Sequence, residues 1–279
     1  MQEVRDNSLL PWNKSKLSTN RDLTINDVKN LQLPNATGDW NWNSMSVYIN
    51  MQEVRDNTDL KWNRKYLSMN RGITVKDIET LVLPNATDAW SWQWISKSID
   101  IQEVRDNPHL PWNKRNLSCN RGITVRDIYT LILPNATDYW KWEYVSMYID
   151  IQEVRDNPHL PWYKYGLSSN AHITVDDINN LQLPNSTSNW CWRAISQHIN
   201  IQEIRDNPTL SWNRDGLSRN THITVDDIEN LQLPNATYDW DWKAISQNIS
   251  IQEVRANPNV SWNKEYLSRN RGITVSDIM

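Results

Sequence analysis

Phenylalanine is absent from this chain, glycine occurs six times and cysteine twice. Each shortage removes a class of protein. With so few glycines, none clustered, there is no loop of the kind that wraps a nucleotide phosphate. Cys119 and Cys191 do not occupy equivalent places in the pattern described below, so they predict no disulfide framework, and a reducing compartment is the default expectation. No apolar run approaches the ~20 residues of a membrane span. The opening Met-Gln-Glu-Val-Arg-Asp has no apolar core, which argues against a secretory signal. The expected location is therefore cytoplasmic. A net charge of −4 gives the whole chain no bias toward nucleic acid or an anionic membrane. The mean hydropathy of −0.73 is lean for one globular core and suits a thin, continuous one.

What the chain has instead is tryptophan, 17 of them, nearly all at recurring positions. The sequence repeats with a period of 50 residues and no insertion, in units starting at Met1, Met51, Ile101, Ile151, Ile201 and Ile251, the sixth partial. Each unit is itself doubled. Trp112, Leu117, Ser118, Ile123 and Ile128 correspond to Trp140, Val145, Ser146, Ile149 and Val154, so about eleven modules of roughly 24–26 residues fill 1–279 as a single repeat domain. Both ends read as interior repeats. Arrays of this kind need polar caps, so this suggests a longer array or ends covered by another chain.

Local signals make the modules helical. Asp150 and Thr124 are residue types that cap helix N-termini, and Glu153 and Asp127 stand three residues on, the spacing of a capping box. Ile149 with Val154, and Ile123 with Ile128, have the spacing of a hydrophobic staple. Four short helices per unit follow: one over 151–155, ended by Asn157-Pro158; one over 112–118, with Pro111 at its start and Asn120 and Gly122 as left-handed stops; one after Thr124, halted by Pro134; and one beginning near Asn135 or Thr137. A strand through Trp140 to Glu143 is the weaker reading. Ser146, present in every full unit as Ser46, Ser96, Ser196 and Ser246, is small on an apolar face and predicts close helix contact. The expectation is an all-α fold, an α-solenoid of short helix-turn-helix modules.

The stretch Asn107-Pro108, Pro111-Trp112, Leu117-Ser118, Asn120 and Ile123-Thr124 resembles the tryptophan-rich repeats found in many copies in giant DNA viruses of amoebae, which recur every ~24 residues. The match extends over the whole chain. It departs in Arg121-Gly122, where Asn-Pro is more usual, and in its two alternating module types. The resemblance implies a viral or virus-derived helical repeat protein, in host cytoplasm or virion, and no particular activity.

No catalytic or metal-ligating constellation is expected, and no cofactor. Glu3, Arg5, Asp6 and Asp27 recur from unit to unit, whereas an active site is normally one constellation. His109, His159, His172, His198 and His222 lack zinc-binding spacing. Pro-Asn-Ala-Thr reads as a turn and cap in preference to a glycosylation site. Lys14, Arg64, Lys114, Lys164, Arg214 and Lys264, each two residues after a Trp, with Arg21, Arg71, Arg121 and Arg271, form a basic ladder. That pattern would suit a base-per-repeat RNA binder but reads better as an internally paired face.

The favoured function is a non-enzymatic scaffold binding an unknown protein, with self-assembly and nucleic-acid binding as rivals. A partner surface should lie where repeats differ. Position 44 reads Ser44, Trp94, Tyr144, Ala194, Ala244, and position 48 reads Tyr48, Ser98, Tyr148, His198, Asn248. Six of the ten tyrosines lie between 129 and 165. Tyr139, Tyr144 and Tyr148, with Trp94 and Tyr129, are the candidate partner-binding residues, because tyrosine and tryptophan are enriched at binding hot spots.

Overall fold

A computed structural model describes residues 1–277. Among them are 22 α-helices of four to seven residues, recurring with the 50-residue period, and one 3-10 turn at Val275–Asp277. The fold is all-α. The chain divides into two compact units, Met1–Lys141 and Trp142–Met279.

Within the first unit, the repeat starting at Met51 shows the plan. Its helices are Met51–Asp56, Arg64–Leu67, Val75–Thr80 and Trp92–Ser98. Helices this short do not persist in isolation, so packing must hold them. Side chains start most of them: Asn50 accepts from Gln52 N, Asn63 from Tyr66 N and Thr74 from Asp77 N. Thr74 and Asp77 close a full capping box, as do Thr24–Asp27 and Thr124–Asp127. The apolar side chains then gather in one core. Ile49 and Val54, the staple pair, join Met45, Trp62, Leu67 and Ile73 there. A second cluster continues it with Ile99, Val104, Trp112 and Ile123.

The second unit repeats the plan in helices Ile201–Asp206, Arg214–Leu217, Val225–Asn230 and Trp242–Asn248. Ile199, Ile204, Trp212, Leu217 and Ile223 form its core. Trp62, Trp112, Trp162 and Trp212 are completely buried. Each indole donates to a backbone carbonyl five residues upstream, Trp112 to Asn107 O at 2.8 Å. Each also meets a second tryptophan edge to face, as Trp92 meets Trp112 at 5.2 Å and Trp192 meets Trp212 at 5.4 Å.

Several sequence expectations need correction. The second helix runs Lys114–Leu117 and does not begin at Trp112. Asn113 is its cap, and Trp112 is held extended because its carbonyl accepts from Thr137 N while Lys114 N donates to Thr137 O. Pro111 therefore lies in the extended lead-in to the helix and not in its first turn. That bridge also moves the fourth helix, which starts at Trp142, since Asn135 to Thr137 are used in the turn and the bridge. The third helix stops at Thr130, before Leu131 turns extended, three residues short of where Pro134 would force it. The left-handed position is occupied by Gly38, Asp88, Asp138 and Tyr238, not by Asn120 or Gly122. Asn120 turns the chain with its side chain, accepting from Gly122 N at 2.9 Å. The strand reading at Trp140 to Glu143 is overturned, because Trp142 and Glu143 open the fourth helix; the extended pairing falls instead at isolated bridges such as Asn113↔Thr137.

The largest correction concerns the second kind of box. Asp150 accepts from Gln152 N, one residue short of the box geometry. The glutamates at the third helical position reach elsewhere. Glu53 accepts from Ile25 N at 3.1 Å, Glu103 from Val75 N at 3.2 Å, Glu203 from Val175 N at 3.1 Å and Glu253 from Val225 N at 3.0 Å. Each satisfies an unpaired first-turn N–H of a helix 28 residues upstream.

Candidate functional site

The recurrent polar residues come together first, and they come together on each other. Arg55 Nε and Nη2 grip Asp77 in a bidentate pair, both at 2.8 Å, while Asp77 also accepts from Thr74. The same pair forms at Arg5–Asp27, Arg105–Asp127, Arg155–Asp177, Arg205–Asp227 and Arg255–Asp277. Burial pushes the Asp77 carboxyl upward, but the Arg55 and Thr74 hydrogen bonds outweigh it and hold the group below the ordinary carboxylate range. Asp127, Asp177 and Asp227 behave alike. At Asp27 the Arg5 hydrogen bond is the largest effect and lowers the group in the same sense. These carboxylates are held ionised by guanidinium and backbone N–H. A general acid would instead need its pKa raised toward neutrality.

The repeated serines serve both halves of the unit identically. Ser96 Oγ donates to Trp92 O and accepts from Asn113 N. Ser68 Oγ donates to Arg64 O and accepts from Ser91 N. One hydroxyl thus locks a helix's last turn to the residue that precedes a later helix. The expected close approach at Ser146 is present: a Cβ added at Gly166 would lie 3.1 Å from Ser146 Cβ. Buried asparagines, which sequence reasoning took only as turn residues, are clamps. Asn120 Nδ2 donates to Ser96 O and Ile99 O, and Asn220 Nδ2 to Ser196 O and Ile199 O. Their signal was recurrence at a polar position amid apolar ones. Among the described residues no buried side-chain polar atom lacks a partner.

The asparagines of Pro-Asn-Ala-Thr, and of Pro-Asn-Ser-Thr at 184–187, brace the same framework. Asn85 donates its Nδ2 to Asp59 O, and Asn135 and Asn185 donate theirs to His109 O and His159 O. The nitrogen that a glycan would occupy is engaged in the fold. Half of the basic ladder is internal in the same way. Arg64 donates to Leu83 O at 2.9 Å, Arg214 donates to Ala236 O and Tyr238 O, and Lys164 Nζ lies 5.8 Å from the Trp190 ring. Arg21, Arg71 and Arg121 are exposed. No group of three His, Cys, Asp or Glu among the described residues is placed to hold a metal. Both cysteines are free, and burial pushes the Cys119 thiol up. No helix among the described residues is long and apolar enough to cross a membrane.

The aromatic candidates fall in both units. In the first, Tyr129 is 62 % and Tyr139 65 % exposed, and Trp94 is half-buried on Trp92–Ser98. Lys141 Nζ donates to the Tyr139 hydroxyl at 2.9 Å and lies 4.2 Å from the ring centroid. Lys97 Nζ is 6.0 Å from the Trp94 ring. In the second unit, Tyr144 and Tyr148 are half-buried on Trp142–Tyr148, beside the buried Val145 and Ser146. Val82 and Ile132, equivalent residues one repeat apart in the first unit, are 75 % and 82 % exposed, and sequence patterning had not singled them out. No family model, no curated protein and no solved structure matches this chain.

Proposed function

We propose that the chain is an α-solenoid acting as a non-enzymatic scaffold for protein–protein interaction. The observation that carries this is a division of labour between positions. The constant polar side chains are consumed by the fold itself: Arg to Asp, Glu to a helix start, Ser and Asn to backbone. The positions that change between repeats include the exposed ones, as where Tyr129 stands in for Lys29 and Glu79, and Ile132 for Gln32 and Val82. A continuous stack with constant seams and a variable outer face is the architecture on which extended binding surfaces are built. The internal bonding of Arg64 and Arg214 favours protein over nucleic acid as the partner. Kinship with the tryptophan-rich repeats of giant viruses belongs to the same proposal and is carried by the motif.

Small-angle scattering tests the solenoid. A compact globule of this length would have a radius of gyration of about 19 Å; a solenoid should exceed about 25 Å, and the globular value would refute it. Pull-down with the immobilised chain tests the surface. Tyr129→Ala/Tyr139→Ala should lose its main protein partner with an unchanged melting curve. Retention of that partner would place the binding surface elsewhere.

A further inference from the structure

Within the second unit a groove of about 720 Å3 runs across two successive junctions between repeats. Its floor is framework: Asn220 and Asn270, clamped onto backbone carbonyls, with Ile249 and Ile251. Its walls are the positions that vary. Gln197 and His198 are matched one repeat later by Gln247 and Asn248, and Arg219, Thr221 and His222 by Arg269, Arg271 and Gly272. The fourth helix contributes positions 47 and 48, each of which takes four different residues over the five full repeats.

The chemistry of this lining is one-sided. It contains Arg219, Arg255, Arg269 and Arg271 and no carboxylate. Arg219 pairs with Asp215 and Asp241, Arg269 with Glu265 and Arg255 with Asp277, but none of these acids lines the groove. The Arg269–Glu265 pair is solvated, its side chains 52 % and 71 % exposed, and such a pair holds its members loosely. Arg271 has no carboxylate partner among the described residues. One substitution has also removed an acid nearby. Gln202 Nε2 donates to Asp206, as its counterparts do to Asp56, Asp106 and Asp156. Ala256 stands at that place in the last repeat, so the Gln252 amide in the groove has lost the acceptor its equivalents use.

We propose that this groove binds an extended acidic peptide, its carboxylates taken by Arg269, Arg271 and Arg219 and its backbone by the glutamine amides. The inference rests on the scaffold reading and names the partner's chemistry. Guanidinium matches carboxylate in fork geometry, and recognition of acidic segments by arginine clusters is an established mode. A side-chain amide offers a donor and an acceptor, as a peptide bond requires. The same donors return one repeat later, which fits a linear ligand. Small-molecule pockets are mostly apolar, and this lining is mostly polar. No tryptophan or tyrosine ring lines the groove to stack an unpaired base, which disfavours single-stranded nucleic acid.

The test is fluorescence anisotropy with the full chain and four labelled probes: a twelve-residue Glu-Ser repeat, matched Gln-Ser and Lys-Ser repeats, and a twelve-nucleotide oligothymidine. The Glu-Ser peptide should bind, more weakly as salt rises, and at least tenfold tighter than the Gln-Ser peptide. Arg271→Glu should weaken it at least fivefold, and Arg269→Glu/Arg271→Glu at least tenfold. Arg126→Glu, an exposed change in the other unit, should leave it unaltered. Arg271 makes no bond that holds the fold, so its variant should melt like the parent. Absent Glu-Ser binding, indifference to Arg271→Glu, or tighter binding of oligothymidine would each overturn the proposal. If those results came with the pull-down partner still captured and an elongated radius, the groove assignment alone would fail and the scaffold reading would stand.

Discussion

Two helices of each repeat carry the same instruction in sequence and use it differently. Thr74-Val-Lys-Asp77 and Asp100-Ile-Gln-Glu103 both offer a cap and an acid three residues on. Asp77 turns back on its own cap, closing the box and taking the guanidinium of Arg55. Glu103, one methylene longer, reaches away to the first turn of Val75–Thr80. The first helix of a repeat is thus tied in two directions within each unit. Glu53 goes back to Ile25 and Arg55 forward to Asp77; Glu203 goes back to Val175 and Arg205 forward to Asp227. The short acid makes a helix, and the long acid makes an array.

The two staples differ as well, and that difference offers the largest effect. Val104 is completely buried, whereas Ile128 is only partly covered. Val104→Asp would place an unpaired charge in a closed core and should cost about 4 kcal/mol or more. Ile128→Asp, whose carboxylate can reach water, should cost clearly less. Urea denaturation of the two variants distinguishes them. Equal losses would mean that both staples are equally closed.

The Asp box comes next. Asp127→Ala removes the acceptor of Arg105, Thr124 N and Thr124 Oγ1 together. Breaking a buried pair costs about 3–5 kcal/mol, but the Arg105 side chain is 34 % exposed, so about 2–3 kcal/mol is expected. The same carboxylates set the acid limit of the fold. Their folded pKa values lie below the unfolded ones, so their contribution is complete above the ordinary carboxylate value. It is lost as pH falls through and below that value. The urea midpoint should change little between about pH 7 and pH 5 and fall steeply below about pH 4. A midpoint that rises on acidification would contradict the depressed carboxylates. Asp127→Ala should flatten the fall.

Much of this framework was legible in the sequence because it is local. Caps, staples and the Thr-x-x-Asp box act within a turn of helix, and repetition exposes them six times over. The buried tryptophans announced themselves by period. The illegible parts depend on contacts between segments. Nothing around Trp112 spells its extended conformation, since the pairing partner, Thr137, lies 25 residues away across a proline. The Asn120 clamp needs carbonyls at the end of Trp92–Ser98, 24 and 21 residues upstream, and the destination of Glu103 needs the helix Val75–Thr80 to exist. The groove was half legible: position 48 stood out as variable, but its union with positions 19 to 22 of the following repeat is a matter of tertiary placement.

The smallest effect is the most discriminating, because it turns on one methylene. If Glu103 served its own helix, Glu103→Asp would be harmless, since aspartate closes that box at Thr74, Thr124 and Thr224. If its role is to reach Val75 N, aspartate is too short, and the substitution should cost as much as Glu103→Ala. A lost cap is worth about 0.5–2 kcal/mol, and an exposed first turn should place this one near 1 kcal/mol. The converse, Asp127→Glu, should also destabilise, because the longer arm displaces the carboxylate from Thr124 and Arg105 at once. Hydrogen exchange locates the loss. Glu103→Asp should speed exchange at the Val75 amide, 28 residues from the substitution, and leave Gln102 at the Asp100 cap unchanged. Faster exchange at Gln102 with Val75 unaffected would return Glu103 to a local cap and remove the tie between repeats.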